Sequence, residues 1–177
     1  MKPKKCKVCK NEFTPIYTTA QSTCSLNCAI EQTAQKKNQA WKERKKILKD
    51  ELTTVQDLMK VAQQVFNKYI RLRDEGNLCI SCGKKINGVI HASHYLSAGG
   101  HSAVRFHTDN VWVSCFKCNV MLSGNGIEYR MRLINKIGIE RVEWLENNGS
   151  IAKKWTREEL QEIIKEYKLK YKELESK

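Results

Sequence analysis

The residues best suited to chemistry are concentrated in one stretch of the chain, residues 79–125. It contains two Cys-x2-Cys pairs, all four histidines of the protein within 17 residues, and Asn119 directly after the second cysteine pair. A neutral imidazole can take a proton from water near pH 7, and a carboxamide oxygen suits a hard cation. Metal-assisted hydrolysis of a phosphodiester uses both kinds of group. The stretch therefore predicts a nuclease site.

Three residues in this stretch are assigned catalytic roles. His94 lies on a predicted strand and is the candidate general base. Asn119, at the start of a predicted helix, is the candidate ligand of a catalytic divalent ion, Mg²⁺ or Mn²⁺. Asn110 precedes a second predicted strand, where its side chain is placed to hydrogen-bond the loop carrying His94. The alternative for a strand histidine is a buried core residue, but four histidines between cysteine pairs favour a functional role.

The cysteines predict two structural zinc ions. All eight fall into close pairs, whereas a disulfide framework would scatter them. The first 28 residues are too few to bury a core, so bound zinc would supply their folding free energy. A histidine (His91, His101 or His107) in place of a cysteine is the lower-ranked alternative. The predicted sets are Cys6, Cys9, Cys24 and Cys28 for one ion, and Cys79, Cys82, Cys115 and Cys118 for the other.

The net charge of +13 is unevenly distributed. Residues 1–50 carry 12 Lys and Arg against 4 Asp and Glu, and residues 79–137 carry 7 against 2, whereas the other segments balance. A polyanion is the expected partner, because Lys and Arg that neutralise phosphates release counterions. A solvated lysine-rich helix is the alternative for residues 29–52. The candidate DNA contacts are Arg105, Lys117, Arg130, Lys42, Lys45 and Lys46.

The apolar pattern predicts an α+β protein. Strands are expected at 88–95 and 111–114, followed by a helix that starts near Cys118 and is interrupted at Ser123–Gly124. Helices are also expected at 29–52, 54–75, 127–137, 139–149 and from 156 onward, the second and last opened by capping boxes at Thr54 and Thr156. Apolar stripes on these two helices are interpreted as intramolecular packing, with a dimer contact as the minor alternative. Four regions follow: a zinc finger (1–28), a basic helical arm (29–53), a nuclease core with its supporting helix (54–138), and C-terminal helices (139–177).

No apolar run approaches the length of a membrane span, and no secretory signal follows the start of the chain. We therefore expect no membrane partner and a reducing cytoplasm.

Beyond composition and spacing, the second cysteine stretch resembles a known family. The Cys-x2-Cys pair, His94–Tyr95, Gly99–Gly100 and Cys115-x2-Cys118–Asn119 resemble the zinc-stabilised HNH (ββα-metal) endonucleases. Nearly the whole chain resembles the NinG (Rap) family of lambdoid phage recombination endonucleases. The further motifs that carry this resemblance are the N-terminal finger, the helical arm, HASHY, CNVMLSGN and YRMRLINKIG.

This resemblance implies a small ββα-metal core embedded in helices, with an N-terminal zinc finger and arm. It also implies a structure-selective DNA endonuclease acting on Holliday junctions and D-loops with one divalent ion, in the host bacterial cytoplasm. A homodimer and contacts with recombination proteins are left open.

One position departs from the family pattern. Many HNH sites place Asp immediately before the base histidine, where this chain has Ser93, and NinG-like sequences carry an acidic residue where this chain has His91. His91 is therefore assigned as the second ligand of the catalytic ion, with water in its place as the alternative. The rival function is a non-catalytic, zinc-dependent DNA-binding or recombination-recruitment protein. An RNA-binding zinc ribbon would explain the charge but not the histidines.

Overall fold

Helices dominate the chain and accompany two small antiparallel sheets, which confirms the predicted α+β class. The structure is a computed structural model that describes residues 1–176. The chain divides into two units, Met1–Thr53 and a second that starts at Thr54. None of the described helices is long and apolar enough to cross a membrane.

The first unit consists of a short hairpin and one long helix. Strand β1 (Lys4–Lys5) pairs with β2 (Glu12–Phe13), and helix α1 spans Leu26–Leu52. The Ser25 side chain caps α1 by accepting a hydrogen bond from the Cys28 N–H, which joins the start of the helix to the Cys24/Cys28 pair. No residue of α1 is buried, which is compatible with both a solvated helix and a DNA-binding arm.

The second unit is built on two helices that pack together, α2 (Val55–Arg73) and α5 (Arg157–Glu175). Both predicted capping boxes are present, at Thr54 with Asp57 and at Thr156 with Glu159. The buried residues of α2 are Leu58, Ala62, Phe66 and Ile70, so its apolar stripe packs within the chain, as predicted. The shared core consists of Leu58, Ala62, Phe66, Ile70, Phe106, Val111, Leu160 and Tyr167.

Strands β3 (His91–His94) and β4 (Val111–Ser114) form an antiparallel pair in which His94 lies opposite Val111. The second predicted strand is confirmed, but the first is shorter than the predicted 88–95. The reason is the register: His91 already pairs with Ser114, the last residue before the Cys115 knuckle, so residues 88–90 have no partner strand. Gly88, with a φ of +90°, also turns the backbone out of the extended region.

A wide helical turn (Lys117–Met121) follows β4, and three left-handed residues (Ser123, Gly124 and Asn125) separate it from α3 (Gly126–Ile137). This matches the predicted interruption at Ser123–Gly124. Helix α4 (Ile139–Gly149) comes next, and the two helices enclose a second core. Its buried residues are Ile80, Val104, Tyr129, Leu133, Val142 and Leu145.

Candidate active site

The eight cysteines meet in two groups of four, as their spacing predicted. The ligand atoms of Cys6, Cys9, Cys24 and Cys28 lie within 4.8 Å of one another, and so do those of Cys79, Cys82, Cys115 and Cys118. Tetrahedral zinc uses four such thiolates. Each group could therefore hold one structural zinc ion, and no histidine is needed to complete either set.

The second cysteine group has hydrogen-bond donors directed at its sulfur atoms. The Cys115 N–H donates to the Cys79 sulfur over 3.4 Å. Burial raises the pKa of the Cys79 thiol, but backbone donors from Cys82, Cys115 and Ser81 act against it, and the pKa falls to about 7. These backbone donors stabilise the thiolate form that a metal ion requires.

His94 is the last residue of β3, and its imidazole is mostly shielded from water. The Nε2 atom lies 3.1 Å from the carbonyl oxygen of Arg105. Because a carbonyl only accepts hydrogen bonds, Nε2 carries the proton and Nδ1 keeps its lone pair. Nδ1 has no hydrogen-bond partner among the described residues. It is also not enclosed by the protein, so it is accessible to solvent.

Burial is also the main cause that lowers the pKa of His94 to about 4, with the Arg105 charge as a smaller cause and the hydrogen bond opposing both. The ring is therefore neutral at physiological pH. A neutral ring with a fixed tautomer and one accessible lone pair can accept a proton, and a pKa of about 4 makes it a weaker base than an ordinary histidine.

Asn110 is fully buried and closes the loop between the two strands. Its Oδ1 atom accepts a hydrogen bond from the Leu96 N–H at 2.8 Å, and its Nδ2 atom donates to the Leu96 carbonyl at 3.0 Å and the Val104 carbonyl at 3.1 Å. Leu96 follows His94 by two residues, and Val104 precedes Arg105. Asn110 therefore joins the two segments that position the His94 ring.

Asn119 lies in the wide turn after the second cysteine pair, half-buried. Its N–H donates to the Cys115 carbonyl at 3.0 Å, while its carboxamide makes no hydrogen bond with the described residues. The carboxamide is thus anchored through its backbone and free at its oxygen.

His91 occupies the other end of β3. Its ring lies 5.8 Å from that of Phe116, within the knuckle that carries Asn119, and its buried Nε2 atom has no partner. Side chains alternate along a strand, so His91 and Ser93 share one face and His94 belongs to the other. At about 3.3 Å per residue, His91 and His94 are roughly 10 Å apart along the strand. His91 therefore lies on the same face as Ser93, the position at which many HNH sites carry Asp, and its role as a ligand stays a prediction.

The predicted DNA contacts differ in their freedom. Lys117 is exposed, as are Lys42, Lys45 and Lys46 on α1. Arg105 is partly engaged, since its Nε atom donates to Gln63 Oε1 at 2.8 Å. Arg130 forms a two-pronged ion pair with Glu146, which also accepts a hydrogen bond from the Tyr95 hydroxyl. The charge of Arg130 is therefore compensated inside the protein, which weakens its assignment as a phosphate contact.

The two remaining histidines have structural partners. The Nδ1 atom of His101 lies 3.0 Å from the Gly149 carbonyl oxygen, and His107 packs its ring against Trp144. Burial lowers the pKa of His107, so this ring is held in its neutral form. Both residues join the inter-strand loop to α4.

Sequence reasoning missed the ion pair that anchors the site to α2. Asp74, 2% exposed, accepts hydrogen bonds from Arg73 Nε and Nη2, each at 2.7 Å. Arg73 also donates to the Thr108 and Val111 carbonyls, and Asp74 accepts from the Val113 N–H. The sequence signal was an Arg–Asp dipeptide at the end of a predicted helix. The backbone groups that this pair binds, at Thr108, Val111 and Val113, lie more than 30 residues further along the chain.

A groove of about 540 Å³ lies elsewhere, between α2 and α5. Val65, Leu169 and Tyr171 contribute to its lining together with four lysines and Glu175. It includes none of the candidate catalytic residues.

The fold and the cysteine groups define a basic, helix-rich α+β protein with two four-cysteine centres. The family model described as "Bacteriophage Lambda NinG protein" matches residues 1–177. The chain belongs to this NinG family.

The relatives agree with this assignment over almost their full lengths. The chain is 33% identical to Protein ninG of Escherichia phage 933W, over 97% of this chain and 93% of that protein. It is also 33% identical to Protein ninG of Escherichia phage lambda, over 94% and 89%, and to that of Salmonella phage P22, over 94% and 92%. No solved structure matches the chain.

Proposed function

We propose that this NinG protein is a metal-dependent endonuclease of the HNH type that hydrolyses phosphodiesters in branched DNA. The observation that carries the proposal is the state of His94: a neutral, half-buried ring with its Nε2–H bound to the Arg105 carbonyl and its Nδ1 lone pair available. A purely structural histidine would be expected to use both nitrogens or to bury the second one in apolar surroundings. His101 also binds a single backbone carbonyl, but it joins the inter-strand loop to α4 and lies outside β3.

In this proposal His94 Nδ1 accepts a proton from the water that attacks phosphorus. The Arg105 carbonyl stabilises the imidazolium that results, because it already receives the Nε2–H. Asn110 is a positioning residue, since its three hydrogen bonds fix the backbone on both sides of that contact. General-base assistance of this kind contributes roughly 10²- to 10⁴-fold to a rate.

Asn119 is the residue we assign to the catalytic divalent ion. Its free carboxamide oxygen and its rigid backbone fit a hard cation. When bound, such an ion would neutralise charge on the phosphate and the leaving oxygen. Beyond the two cysteine groups, the described residues contain no further cluster of three His, Cys, Asp or Glu side chains, so water and substrate would complete the shell.

DNA is the proposed substrate because the positive charge surrounds this site. Residues 79–137 carry 7 basic against 2 acidic side chains, and one of each, Arg130 and Asp109, is paired with a residue of α4. The preference for branched recombination intermediates, a cytoplasmic location in the host and a homodimer that cuts both sides of a junction are proposed from the family resemblance. The rival, a non-catalytic recruitment protein, uses the same charge without cleavage.

The proposal is tested by incubating the zinc-loaded protein with a labelled four-way junction and a matched linear duplex, with Mg²⁺ or Mn²⁺. Wild type should cut the junction, and His94→Ala should lose at least about 100-fold in rate while binding it with similar affinity. Lys154→Ala, which changes a residue outside the candidate site, is the matched control and should retain activity. Absence of cutting by wild type with either ion would favour the recruitment protein. Equal cutting by His94→Ala would remove the assigned base.

The metal assignment is tested by titrating Mg²⁺ and Mn²⁺ calorimetrically into zinc-loaded variants. Asn119→Ala should bind the ion more weakly than wild type. His91→Ala should bind the ion as wild type does if His91, at the opposite end of β3 from His94, is not a ligand. A large loss in His91→Ala would instead support the ligand assignment made from sequence.

A further inference from the structure

The turn that carries Asn119 exposes a set of apolar side chains. Phe116 is 54% exposed, Val120 50%, Met121 67% and Leu122 47%. We call these four residues the apolar turn. Phe116 and Val120 lie four residues apart, which is the spacing of neighbours on one side of a helical turn. Four large apolar side chains exposed within seven residues are a candidate binding surface.

The charges around the apolar turn indicate what it binds. Lys117 lies within the turn and is exposed, and Arg132 packs its guanidinium against Gly83 of the adjoining knuckle. Lys84 and Lys85 follow that glycine. Glu128 is the acidic residue of 79–137 that remains once Asp109 is paired with Arg141. Apolar surface framed by positive charge is complementary to an unpaired nucleobase on its phosphate backbone, since a base offers an apolar face and the backbone offers negative charge.

We propose that the apolar turn is a stacking platform for an unpaired base next to the branch point, with Phe116 as its principal contact. The ring of Phe116 lies 5.8 Å from the ring of His91 at 55°, so one side is supported by the protein while more than half of its surface stays open. Every base has a flat face, so this contact would select unpaired structure and not sequence. Duplex DNA keeps its bases stacked and would contact the lysines alone.

This inference deepens the proposed function by naming the substrate feature that is recognised, and it depends on DNA binding but not on cleavage. Its test is fluorescence anisotropy of a labelled junction with an unpaired central base and of a matched perfect duplex, without added divalent ion. Phe116→Ala should bind the junction roughly 5- to 100-fold more weakly, the range for loss of one stacked base, and should bind the duplex as wild type does. Lys117→Ala should weaken both DNAs alike.

Three further variants separate stacking from other roles. Phe116→Tyr keeps a flat ring and should retain junction affinity, whereas Phe116→Leu keeps apolar bulk and should lose most of it. Leu169→Ala removes an apolar residue of similar exposure, 52%, on α5 and should change neither affinity. Zinc content and circular dichroism show that each variant is folded.

The outcomes separate this inference from the proposed function. Unchanged junction binding by Phe116→Ala, or equal losses on junction and duplex, overturns the stacking platform alone. Full affinity in Phe116→Leu overturns it as well, because an apolar protein contact would behave in that way. If wild type binds neither DNA, both the inference and the proposed function fail. Selective loss by Phe116→Ala in a protein that never cuts DNA supports the platform and refutes the nuclease.

Discussion

The Nε2 atom of His94 lies 3.1 Å from the carbonyl oxygen of Arg105, 11 residues further along the chain. This contact decides the protonation pattern of the ring, because a carbonyl has no hydrogen to give. The loop between the strands therefore sets the chemical state of a residue on β3. Any change that moves the Arg105 carbonyl is expected to alter His94 without touching it.

The buried state of His94 predicts a pH dependence of stability. Its pKa is about 4 in the folded protein against an ordinary 6.5, so the unfolded chain binds the extra proton first. The free energy of unfolding is therefore expected to fall as the pH drops from about 6.5 towards 4. Above pH 6.5 the contribution of His94 should stay constant. Urea unfolding of the zinc-loaded protein at pH 7 and pH 5 measures this. His94→Gln should lose less stability over the same interval, and an identical loss in both proteins would contradict the prediction.

Asn110 predicts a coupling between loop closure and activity. Asn110→Ala would leave the Leu96 N–H and the carbonyls of Leu96 and Val104 without their partner, at about 1–3 kcal/mol for each unsatisfied buried group. We expect the free energy of unfolding to fall by at least about 3 kcal/mol. Cleavage should fall further, because the backbone next to the Arg105 carbonyl is no longer held by the Asn110 side chain. Asn148→Ala removes one bond within α4, to the Trp144 carbonyl, and serves as the control. Wild-type cleavage by a folded Asn110→Ala would remove its positioning role.

The Arg73–Asp74 pair predicts a large stability effect. Removing Asp74 would strand a guanidinium that is 19% exposed, and breaking such a buried pair costs about 3–5 kcal/mol. Asp74→Ala should show this loss in urea unfolding. Glu75→Ala, at the exposed neighbouring position, should stay within about 0.5 kcal/mol of wild type. A loss below about 1 kcal/mol in Asp74→Ala would show that this ion pair is not the anchor of α2.

The two cysteine groups are expected to load zinc independently, because each lies within its own unit. Elemental analysis of the wild type should give two zinc ions per chain. Cys24→Ser should retain the ion of the second unit, whereas Cys115→Ser should lose it together with much of the helical signal of that unit. Loss of both ions in either single variant would show that the centres are linked.

Local patterns account for the parts of the fold that the sequence predicts well. Cysteine pairing, the capping boxes at Thr54 and Thr156 and the strand Val111–Ser114 depend on neighbours a few residues apart, and all are found. The length of β3 is set by its partner strand β4, which ends at the Cys115 knuckle. The sequence around β3 contains no signal for this end point. The pairing of Arg130 with Glu146 and of Arg73 with distant carbonyls arises only when the helices pack. The catalytic roles of His94, Asn110 and Asn119 remain predictions.

The guanidinium of Arg132 occupies the volume that any side chain at position 83 would need, its nearest atom being 2.4 Å from where a Cβ would stand. Gly83 directly follows Cys82, so a permanent cation lies beside a centre that becomes anionic overall once four thiolates surround zinc. Arg132 thus places a positive charge next to the Cys79–Cys82 knuckle. Exchanging Gly83 for alanine would displace this charge as well as strain the backbone, whose φ is +68° there. The absence of a side chain at Gly83 thereby makes room for a cation beside the knuckle.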